Sequence, residues 1–385
     1  MTSLRHRFPG AAGDWARFDG PAGTQMVDVA IEASARWSAS GSNANTGGSF
    51  RPARDCDELL DRTRATVGRL LGAPAHNVVF GANMTTLTFA VTRAIARTLQ
   101  PGDRVVGTML DHDANIAPWR LACADAGAEH VQVRFDPRNG RLDMDHFASL
   151  LTPNVRWVAV TGASNLLGTM PDLASIVNMA HGVGARVFFD AVHLVPHAAV
   201  DVVALDCDAL VTSPYKWYGP HAGVMYLRND LMASLPIAKV RPAADSGPRR
   251  FETGTPNFES IAAVDAAARF LLEESMSALG AAERDVFAPL LDGLLAMKGV
   301  SVFGPHELVA RTPTVAFNVD GRHPDDVAAA LAERRIAVWS GHSYAVDVVA
   351  QLGQPNGVVR AGVSRYVEHD DVQRLLDAVA TVAAR

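Results

Sequence analysis

The sequence predicts an α/β protein built on a largely parallel sheet, with a smaller α+β domain at its C-terminal end. Short apolar runs alternate with helical patterns through the first two thirds of the 385 residues. Continuous apolar strands of this kind are typical of sheets that are buried on both faces. The C-terminal third has longer helical patterns. We expect residues 20–260 to form the large domain and residues 261–385 the small one, with residues 1–19 docking against it.

The strands of the large domain are predicted from short runs of Val, Ile, Phe and Ala that are followed by turn residues. These runs cover residues 78–80, 104–109, 131–135, 156–161, 186–190, 209–212 and 223–227. Helical patterns lie between several of them, at residues 85–99, 115–126 and 173–181. Because a helix is the usual connection between two parallel strands, we expect a mostly parallel sheet.

The small domain is predicted from a different pattern of segments. A helical pattern extends from residue 261 to about residue 297, with a break expected at Leu279 and Gly280. Pro324 favours the start of a helix over residues 325–334, because proline suits the first helical turn. The remaining predicted elements are strands at residues 314–319, 336–339 and 358–363 and a last helix at residues 370–383.

The composition is that of an ordinary globular protein, since 48% of the residues are hydrophobic and 20% are charged. A net charge of −6 gives no basic surface for nucleic acid or for an anionic membrane. No apolar stretch has the length of a membrane span or a secretion signal. The three cysteines, Cys56, Cys123 and Cys207, are odd in number and far apart, which fits a reducing compartment. We therefore expect a cytoplasmic protein.

Several common catalytic motifs do not occur in the sequence. It has no G-x-G-x-x-G, no lysine behind a glycine-rich loop, no G-x-S-x-G and no C-x-x-C. His193 and His197 have the spacing of metal ligands on a helix, but Pro196 between them disfavours a regular helix. We expect no metal site and keep a metal-dependent enzyme built on these two histidines as an alternative.

Chemistry that needs a lysine amine has three candidates, Lys216, Lys239 and Lys298. Asp190 ends a buried strand, and Lys216 follows another strand 26 residues later. Ligands of α/β sheets bind at the carboxyl ends of strands, where these two side chains would meet. The pair is either a salt bridge or a pyridoxal phosphate site. In such a site the lysine forms a Schiff base with the cofactor, and the aspartate keeps the pyridine nitrogen protonated.

Two further segments follow strands of the same sheet. Residues 81–86 begin the first long helix and offer amides and hydroxyls for a phosphate group, or else form an ordinary helix cap. His112 follows the next strand, where its flat ring either stacks on a cofactor or lies in a surface turn. All of these signals fall at the carboxyl ends of strands, so one site can gather them.

These segments together resemble the class V, fold-type I pyridoxal phosphate enzymes, in particular their cysteine desulfurase-like branch. The resemblance extends from about Phe18 to Ala380. The motifs that carry it are residues 42–48, 80–85, 111–115, 164–169, 190–193, 213–216, 252–257 and 359–360. It implies pyridoxal 5′-phosphate as the cofactor and a large domain with a mostly parallel, seven-stranded sheet.

The resemblance also implies roles for the matching residues. Lys216 would form the Schiff base and shuttle protons, Asp190 would pair with the pyridinium nitrogen, and His112 would stack on the ring. The other contacts to the ring hydroxyl and the phosphate would come from Met84, Thr85, Asn165, His193, Ser213 and Tyr215. Thr255 would reach the phosphate of a neighbouring subunit, which implies a homodimer with shared active sites.

The substrate side differs from the family pattern. Arg360 would bind the α-carboxylate by a planar two-point contact, and Asn45, His342 and Tyr344 would lie near the substrate. Desulfurases carry a cysteine on a mobile loop that accepts the substrate sulfur, but here Tyr344 stands near its place and Cys207 is 137 residues away. Because a phenol cannot replace a thiolate as a sulfur acceptor, we do not expect desulfuration.

Chemistry that needs no thiol remains. We expect a β- or γ-elimination of the C–S lyase kind on a small amino acid, through an external aldimine and a Cα carbanion. The alternatives are a class V aminotransferase, an epimerase or a C–C bond-forming enzyme of specialised metabolism. A non-catalytic pyridoxal phosphate-binding protein is the alternative outside enzymes, and the presence of Lys216, Asp190 and Arg360 argues against it.

Overall fold

Two sheets organise the chain in the computed structural model, which describes residues 3–384. The strands are β1 (Ala16–Arg17), β2 (Val78–Gly81), β3 (Arg104–Thr108), β4 (Glu129–Val133), β5 (Phe135–Asp136), β6 (Arg141–Leu142), β7 (Val155–Thr161), β8 (Arg186–Asp190), β9 (Ala209–Thr212), β10 (Gly223–Leu227), β11 (Val300–Phe303), β12 (Thr314–Val319), β13 (Ile336–Ala337), β14 (Trp339–Gly341) and β15 (Val358–Gly362). The helices are α1 (Asp28–Ala39), α2 (Arg51–Leu71), α3 (Met84–Ala96), α4 (Ala117–Ala126), α5 (Met144–Leu150), α6 (Leu173–Gly182), α7 (Asn229–Ser234), α8 (Phe258–Glu274), α9 (Met276–Ala296), α10 (Pro324–Ala332), α11 (Val346–Gln351) and α12 (His369–Ala383).

The larger sheet has seven strands in the order β2–β10–β9–β8–β7–β3–β4. Its strands run parallel except β10, which is antiparallel to both β2 and β9. The prediction of a mostly parallel α/β sheet is therefore confirmed. Alternate residues of β8 face two separate hydrophobic clusters: Phe188 packs with Trp119 on one face, and Phe189 packs on the other. Both faces are covered, which explains why the strands are continuously apolar.

The parallel strands β7, β8 and β9 end at the same edge of this sheet. Asp190, the last residue of β8, pairs with Thr161 of β7 and with Val211 of β9. The segments that follow these strands therefore start side by side. This edge is where the polar residues of the candidate site gather.

The smaller sheet is antiparallel, with the order β11–β12–β15–β14. The N-terminal segment docks against this part of the chain, because β1 runs parallel to β13. The amide of Ala16 donates to the carbonyl of Arg335 at 2.9 Å, and the amide of Gly362 donates to the carbonyl of Phe18 at 2.9 Å. The segment thus adds hydrogen bonds at the rim of the small sheet.

The helical pattern from residue 261 to 297 is interrupted, but not where the sequence suggested. The break expected at Leu279 and Gly280 is wrong: both residues lie inside α9, and the chain turns at Ser275, where φ is 63°. Gly280 serves a close contact instead, because a Cβ there would lie 3.0 Å from the carbonyl oxygen of His197. Helix α8 packs on α1 and α2, whereas α9 packs on α12 and β11. We propose that the boundary between the two domains lies at this turn.

Other elements differ from the sequence prediction. The single strand expected at residues 336–339 is divided into β13, which pairs with β1, and β14, which pairs with β15. Helices α1 and α2 were not expected, and they bury their apolar faces mainly against α8. Among residues 3–384, no helix combines the length and the apolar character that crossing a membrane requires.

Candidate active site

Lys216 and Asp190 lie at neighbouring strand ends of the large sheet. Asp190 ends β8 and is 4% exposed, and Lys216 lies in a single helical turn after β9 and is 8% exposed. The Asp190 carboxylate accepts a hydrogen bond from the amide of Val192 at 3.0 Å, and the Lys216 amine donates to the carbonyl of Pro21. Within the described residues no ion pair joins the two side chains, so the salt-bridge alternative is not what the structure shows.

Burial shifts the pKa of both groups toward the uncharged form. It raises the pKa of Asp190 to about 6, although the Val192 amide and the Lys216 charge act in the opposite direction. It also holds the pKa of Lys216 well below its usual range, and the charge of Arg360 adds to this effect while Asp190 opposes it. A lysine with a lowered pKa supplies the neutral amine that a nucleophile or a base requires.

The start of α3 lies beside the segment that carries Lys216. The amide of Met84, the first residue of the helix, donates to the Ser213 hydroxyl at 3.4 Å. Asn83 caps the helix, because its side chain accepts from the amide of Thr86 at 2.8 Å. The structure therefore brings Met84 and Ser213 together, with Thr85 in the same first turn. Amides and hydroxyls at a helix start are the groups that bind phosphate.

His112 lies in the turn after β3. Its Nδ1 accepts a hydrogen bond from the amide of Ala114 at 3.0 Å, and its ring stacks on that of Tyr344 at 5.2 Å and 23°. Burial, together with the charges of Lys216 and Arg360, lowers the pKa of His112 to about 4. The ring is therefore neutral near pH 7, and it lies nearly parallel to the ring of Tyr344.

Asp111 fixes this turn, and sequence reasoning assigned it no role. Its carboxylate accepts from the Thr108 hydroxyl and from Asn115 Nδ2, the latter at 2.8 Å. Asn115 in turn accepts from the Trp119 indole at 3.1 Å. The acid belongs to one of the motifs noted in the sequence, but only the folded chain shows that its partners are the last residue of β3 and the last residue of the motif itself.

Arg360 is a buried guanidinium on β15. One nitrogen, Nη1, donates to the carbonyl of Asn165 at 2.9 Å, whereas Nε has no hydrogen-bond partner. Burial lowers the pKa of Arg360 to about 10, and among residues 3–384 no carboxylate forms an ion pair with it. Asn165 donates from Nδ2 to the carbonyl of Ser343 at 2.8 Å, and its Oδ1 also lacks a partner. These free polar atoms are what a bound anion or hydroxyl would satisfy.

His193 and His197 do not face a common point. His193 Nε2 lies 2.9 Å from the Thr314 hydroxyl, and His197 Nδ1 lies 2.8 Å from the Glu283 carboxylate. The two rings meet edge to face at 5.3 Å. Burial lowers the pKa of His193 well below its usual range. In the described chain no group of three His, Cys, Asp or Glu side chains has the arrangement of a metal site.

Tyr215 precedes Lys216, and its ring lies 5.3 Å from the Lys216 amine. The same ring stacks on that of His221 at 5.2 Å and 15°, and the backbone carbonyl accepts from the amide of Thr24 at 2.9 Å. Burial raises the pKa of the Tyr215 phenol. Tyr215 therefore places an uncharged phenol ring next to the Lys216 amine.

The loop that carries His342 and Tyr344 is held over the site by backbone contacts. The carbonyl of Tyr344 accepts from the amide of Asp113 at 2.8 Å, and His342 Nδ1 accepts from the amide of Tyr344 at 2.9 Å. Ser343 and Tyr344 have φ values of 48° and 58°, a conformation that side chains other than glycine disfavour. The Tyr344 side chain remains 65% exposed.

Asn45 and Thr255 lie apart from these residues. Asn45 Nδ2 donates to the Thr255 hydroxyl at 3.4 Å, and Arg249 donates to the neighbouring Thr46 hydroxyl at 3.1 Å. Both predicted residues are exposed and have no hydrogen bond to the Lys216 group within the part of the chain described. These two residues contact each other rather than the residues around Lys216.

The three cysteines are also outside the site. Cys56, Cys123 and Cys207 are buried. Burial raises the pKa of Cys123 to about 11 and that of Cys207 to about 12. Buried thiols are poor nucleophiles, so none of these residues supplies a thiolate to the loop of Tyr344.

Comparison with known sequences gives matches over nearly the whole chain. The family model described as "Aminotransferase class-V" matches residues 17–375. A cysteine desulfurase of Cronobacter sakazakii is 32% identical over 381 residues, which cover 94% of this chain and 91% of the relative. A cysteine desulfurase of Dickeya dadantii is 34% identical over 334 residues, which cover 82% and 79%.

Comparison with solved structures also gives matches to cysteine desulfurases over nearly the whole chain. The apo structure of a cysteine desulfurase from Thermococcus onnurineus NA1 superposes with a TM-score of 0.94 at 26% identity, covering 100% of this chain and 99% of that one. The cysteine desulfurase CsdA of Escherichia coli superposes with a TM-score of 0.90 at 26% identity, covering 99% and 98%. A C-DES mutant with glycine covalently linked to its PLP cofactor shares the fold, with a TM-score of 0.85 at 20% identity over 98% and 99% of the two chains.

Proposed function

The chain belongs to the class-V aminotransferase family, in its cysteine desulfurase-like branch, and we propose that it is a lyase that acts on β- or γ-substituted amino acids. Members of this family are enzymes that use pyridoxal phosphate. The observation that carries the proposal is the buried Lys216 amine, which has a lowered pKa and no carboxylate bonded to it.

The residues present fit this cofactor. The Lys216 amine would bind its aldehyde, and the Asp190 carboxylate would pair with its ring nitrogen. The Met84 amide and the Ser213 hydroxyl, already in contact, would hold its phosphate together with Thr85. The unpartnered Asn165 Oδ1 would accept a hydrogen bond there. When bound, pyridoxal phosphate supplies an electron sink that weakens the bonds at the Cα of an amino acid.

Arg360 would bind the substrate. Its guanidinium is buried, is not neutralised by a carboxylate in the described chain and has a free Nε. A planar guanidinium can bind an α-carboxylate with two parallel hydrogen bonds. The strength of such a contact rises in a water-poor site, so Arg360 would fix which bond of Cα faces Lys216.

Lys216 would take the α-proton on its amine nitrogen. A leaving group on the next carbon then departs with the electron pair of its bond. Overall, an amino acid carrying a β-leaving group and one water become a 2-oxo acid, ammonia and the protonated leaving group. His342 and Tyr344 lie on the loop that faces this side, and neither can accept sulfur covalently as a cysteine does.

We further propose that the protein is a homodimer. Asn45 and Thr255 contact each other, are exposed, and have no hydrogen bond to the Lys216 group of their own chain within the described residues. A second copy would bring Thr255 toward the phosphate-binding turn of the first. Each active site would then be completed by the partner chain.

Cysteine desulfuration is a second candidate, because the relatives of 32% and 34% identity carry that name. It requires a thiol that accepts sulfur. The chain offers no such thiol on the loop of Tyr344, so an added small thiol would have to accept the sulfur.

The test incubates the pyridoxal phosphate-loaded protein with L-cysteine, cystathionine and S-substituted cysteines. We expect equal amounts of 2-oxo acid and ammonia from at least one substrate, lost in Lys216→Ala and kept in Lys298→Ala, which changes an exposed lysine. Formation of alanine from cysteine, dependent on an added thiol and without 2-oxo acid, would support desulfuration instead. Spectral change on amino-acid binding without any 2-oxo acid would contradict the lyase proposal.

A further inference from the structure

A buried carboxylate behind the site has no role in the mechanism above. Glu283 lies on α9 and is 1% exposed. Its Oε1 accepts a hydrogen bond from the Tyr218 hydroxyl at 3.1 Å, and its Oε2 lies 2.8 Å from His197 Nδ1. Neither arginine nor lysine forms an ion pair with it among residues 3–384. Both carboxylate oxygens therefore form hydrogen bonds in the protein interior, one with Tyr218 and one with His197.

These contacts lead back to the segments that carry the site. Tyr218 is the second residue after Lys216, and its hydroxyl also accepts from the amide of Arg365 at 3.2 Å. His197 meets the ring of His193 edge to face at 5.3 Å. One carboxylate therefore joins the turn after β9, the turn after β8 and the segment that follows β15.

The turn that presents Lys216 needs such an anchor. Tyr218 has φ at 68°, in the left-handed region that a bulky side chain disfavours. A residue in this conformation persists only where its surroundings fix it. Around Tyr218 these include the Thr24 hydroxyl, which accepts from its amide at 3.0 Å, the edge-on ring of Phe8 at 5.1 Å, and Glu283.

Packing alone does not explain an acid at this position. Burying a carboxylate costs free energy, and well-packed apolar side chains usually give equal or greater stability. The acid instead orients the Tyr218 side chain, because its carboxylate accepts the hydrogen bond that the Tyr218 hydroxyl donates. Removing it would leave the Phe8, Thr24 and Arg365 contacts in place but would take away the acceptor of the Tyr218 hydroxyl proton.

We propose that Glu283 is a positioning residue for Lys216. Through its hydrogen bond with Tyr218 it holds the turn after β9 in the conformation that presents the Lys216 amine beside Asp190. It touches neither substrate nor cofactor. The proposal rests on the proposed role of Lys216 as the amine that binds the cofactor.

The experiment mixes full-length apoprotein with pyridoxal phosphate and needs no knowledge of the substrate. It follows the growth of visible absorbance and then the visible circular dichroism per bound cofactor. In Glu283→Gln and Tyr218→Phe we expect capture to be about tenfold slower, with altered dichroism, because a misplaced reacting group slows a reaction strongly. Asp285→Asn changes an exposed carboxylate on the same helix and should behave as the wild type.

The outcomes separate a positioning role from a structural one. If both variants capture the cofactor at the wild-type rate with wild-type dichroism, the inference is overturned, even where the melting temperature of the apoprotein falls. If Glu283→Gln does not fold, Tyr218→Phe decides in the same way. Lys216→Ala is measured alongside: a cofactor that stays covalently attached to this variant after borohydride reduction would overturn the proposed function as well.

Discussion

The two walls of the candidate site are fixed in different ways. Asp190 and Lys216 continue strands of the large sheet, and packing against both of its faces sets their positions. On the opposite wall, Tyr344 is 65% exposed and lies in a loop with two left-handed residues that a few hydrogen bonds hold. The buried wall carries the chemistry proposed above. The exposed wall can change without disturbing the core, because the Tyr344 side chain packs little against it.

The largest expected effect is on turnover, and it should differ strongly between substitutions in the two walls. Lys216→Ala should reduce turnover of the best substrate by about 10³-fold or more, because it removes both the nucleophilic amine and the base. Tyr344→Phe, which keeps the ring stacked on His112, should change turnover by no more than about threefold. Steady-state assays of 2-oxo acid measure both. Equal losses in the two variants would contradict the assignment of the chemistry to the buried wall.

Asp190 gives the buried wall a pH signature in the apoprotein. Its pKa of about 6 lies above the ordinary value. The folded chain therefore keeps a proton that the unfolded chain has released, so the stability this group contributes is full below about pH 4 and is lost as the pH rises through about 6. Over this range the unfolding free energy of the wild type should fall by about 3 kcal/mol relative to Asp190→Asn.

Urea unfolding of both apoproteins at a series of pH values measures that difference. Every other titrating group is present in both proteins, so the difference between the two pH profiles reports Asp190 alone. Parallel pH profiles for the two proteins would show that the carboxylate is not buried in the way described.

Arg360 lies between the two walls, and its substitution sharpens the comparison. Arg360→Lys keeps a positive charge but loses the planar two-point contact, so we expect KM for the amino acid to rise by about 10- to 100-fold. An analogue of the substrate without the α-carboxylate is the control, because its binding should not change. A similar loss with that analogue would point to a role for Arg360 other than carboxylate recognition.

The smallest effect concerns the loop itself. Ser343→Gly should raise the unfolding free energy by about 0.5–1 kcal/mol, because glycine adopts its left-handed conformation without strain. Ser343→Ala retains the strain and should give no such gain. Thermal or urea unfolding measures both. A destabilised Ser343→Gly would show that the side chain, rather than the backbone, holds the loop.

The buried wall could be predicted from the sequence because its information is local. The bounds of β8, β9 and β10 were predicted correctly, since each is an apolar run that ends in turn residues. Asp190 and Lys216 then follow from their places after these runs. The same reasoning failed at Gly280, where glycine allows a close contact with His197 inside a helix instead of ending it.

The other contacts depend on pairs far apart in the chain. The Tyr344 carbonyl meets the Asp113 amide, and Glu283 meets both His197 and Tyr218. No periodicity or spacing marks such pairs, because tertiary packing alone brings them together. Helices α1 and α2 were missed for a similar reason, since much of their burial is provided by α8, which lies late in the sequence.

The N-terminal segment connects the small sheet to the surroundings of Lys216. The carbonyl of Phe18 accepts a hydrogen bond from the amide of Gly362 in β15, and three residues later the carbonyl of Pro21 accepts a hydrogen bond from the Lys216 amine. A translation product that starts at Met26 would keep both sheets but lose this direct link between the small sheet and the reactive lysine. Deletion of the segment that carries Phe18 and Pro21 therefore bears on the active site.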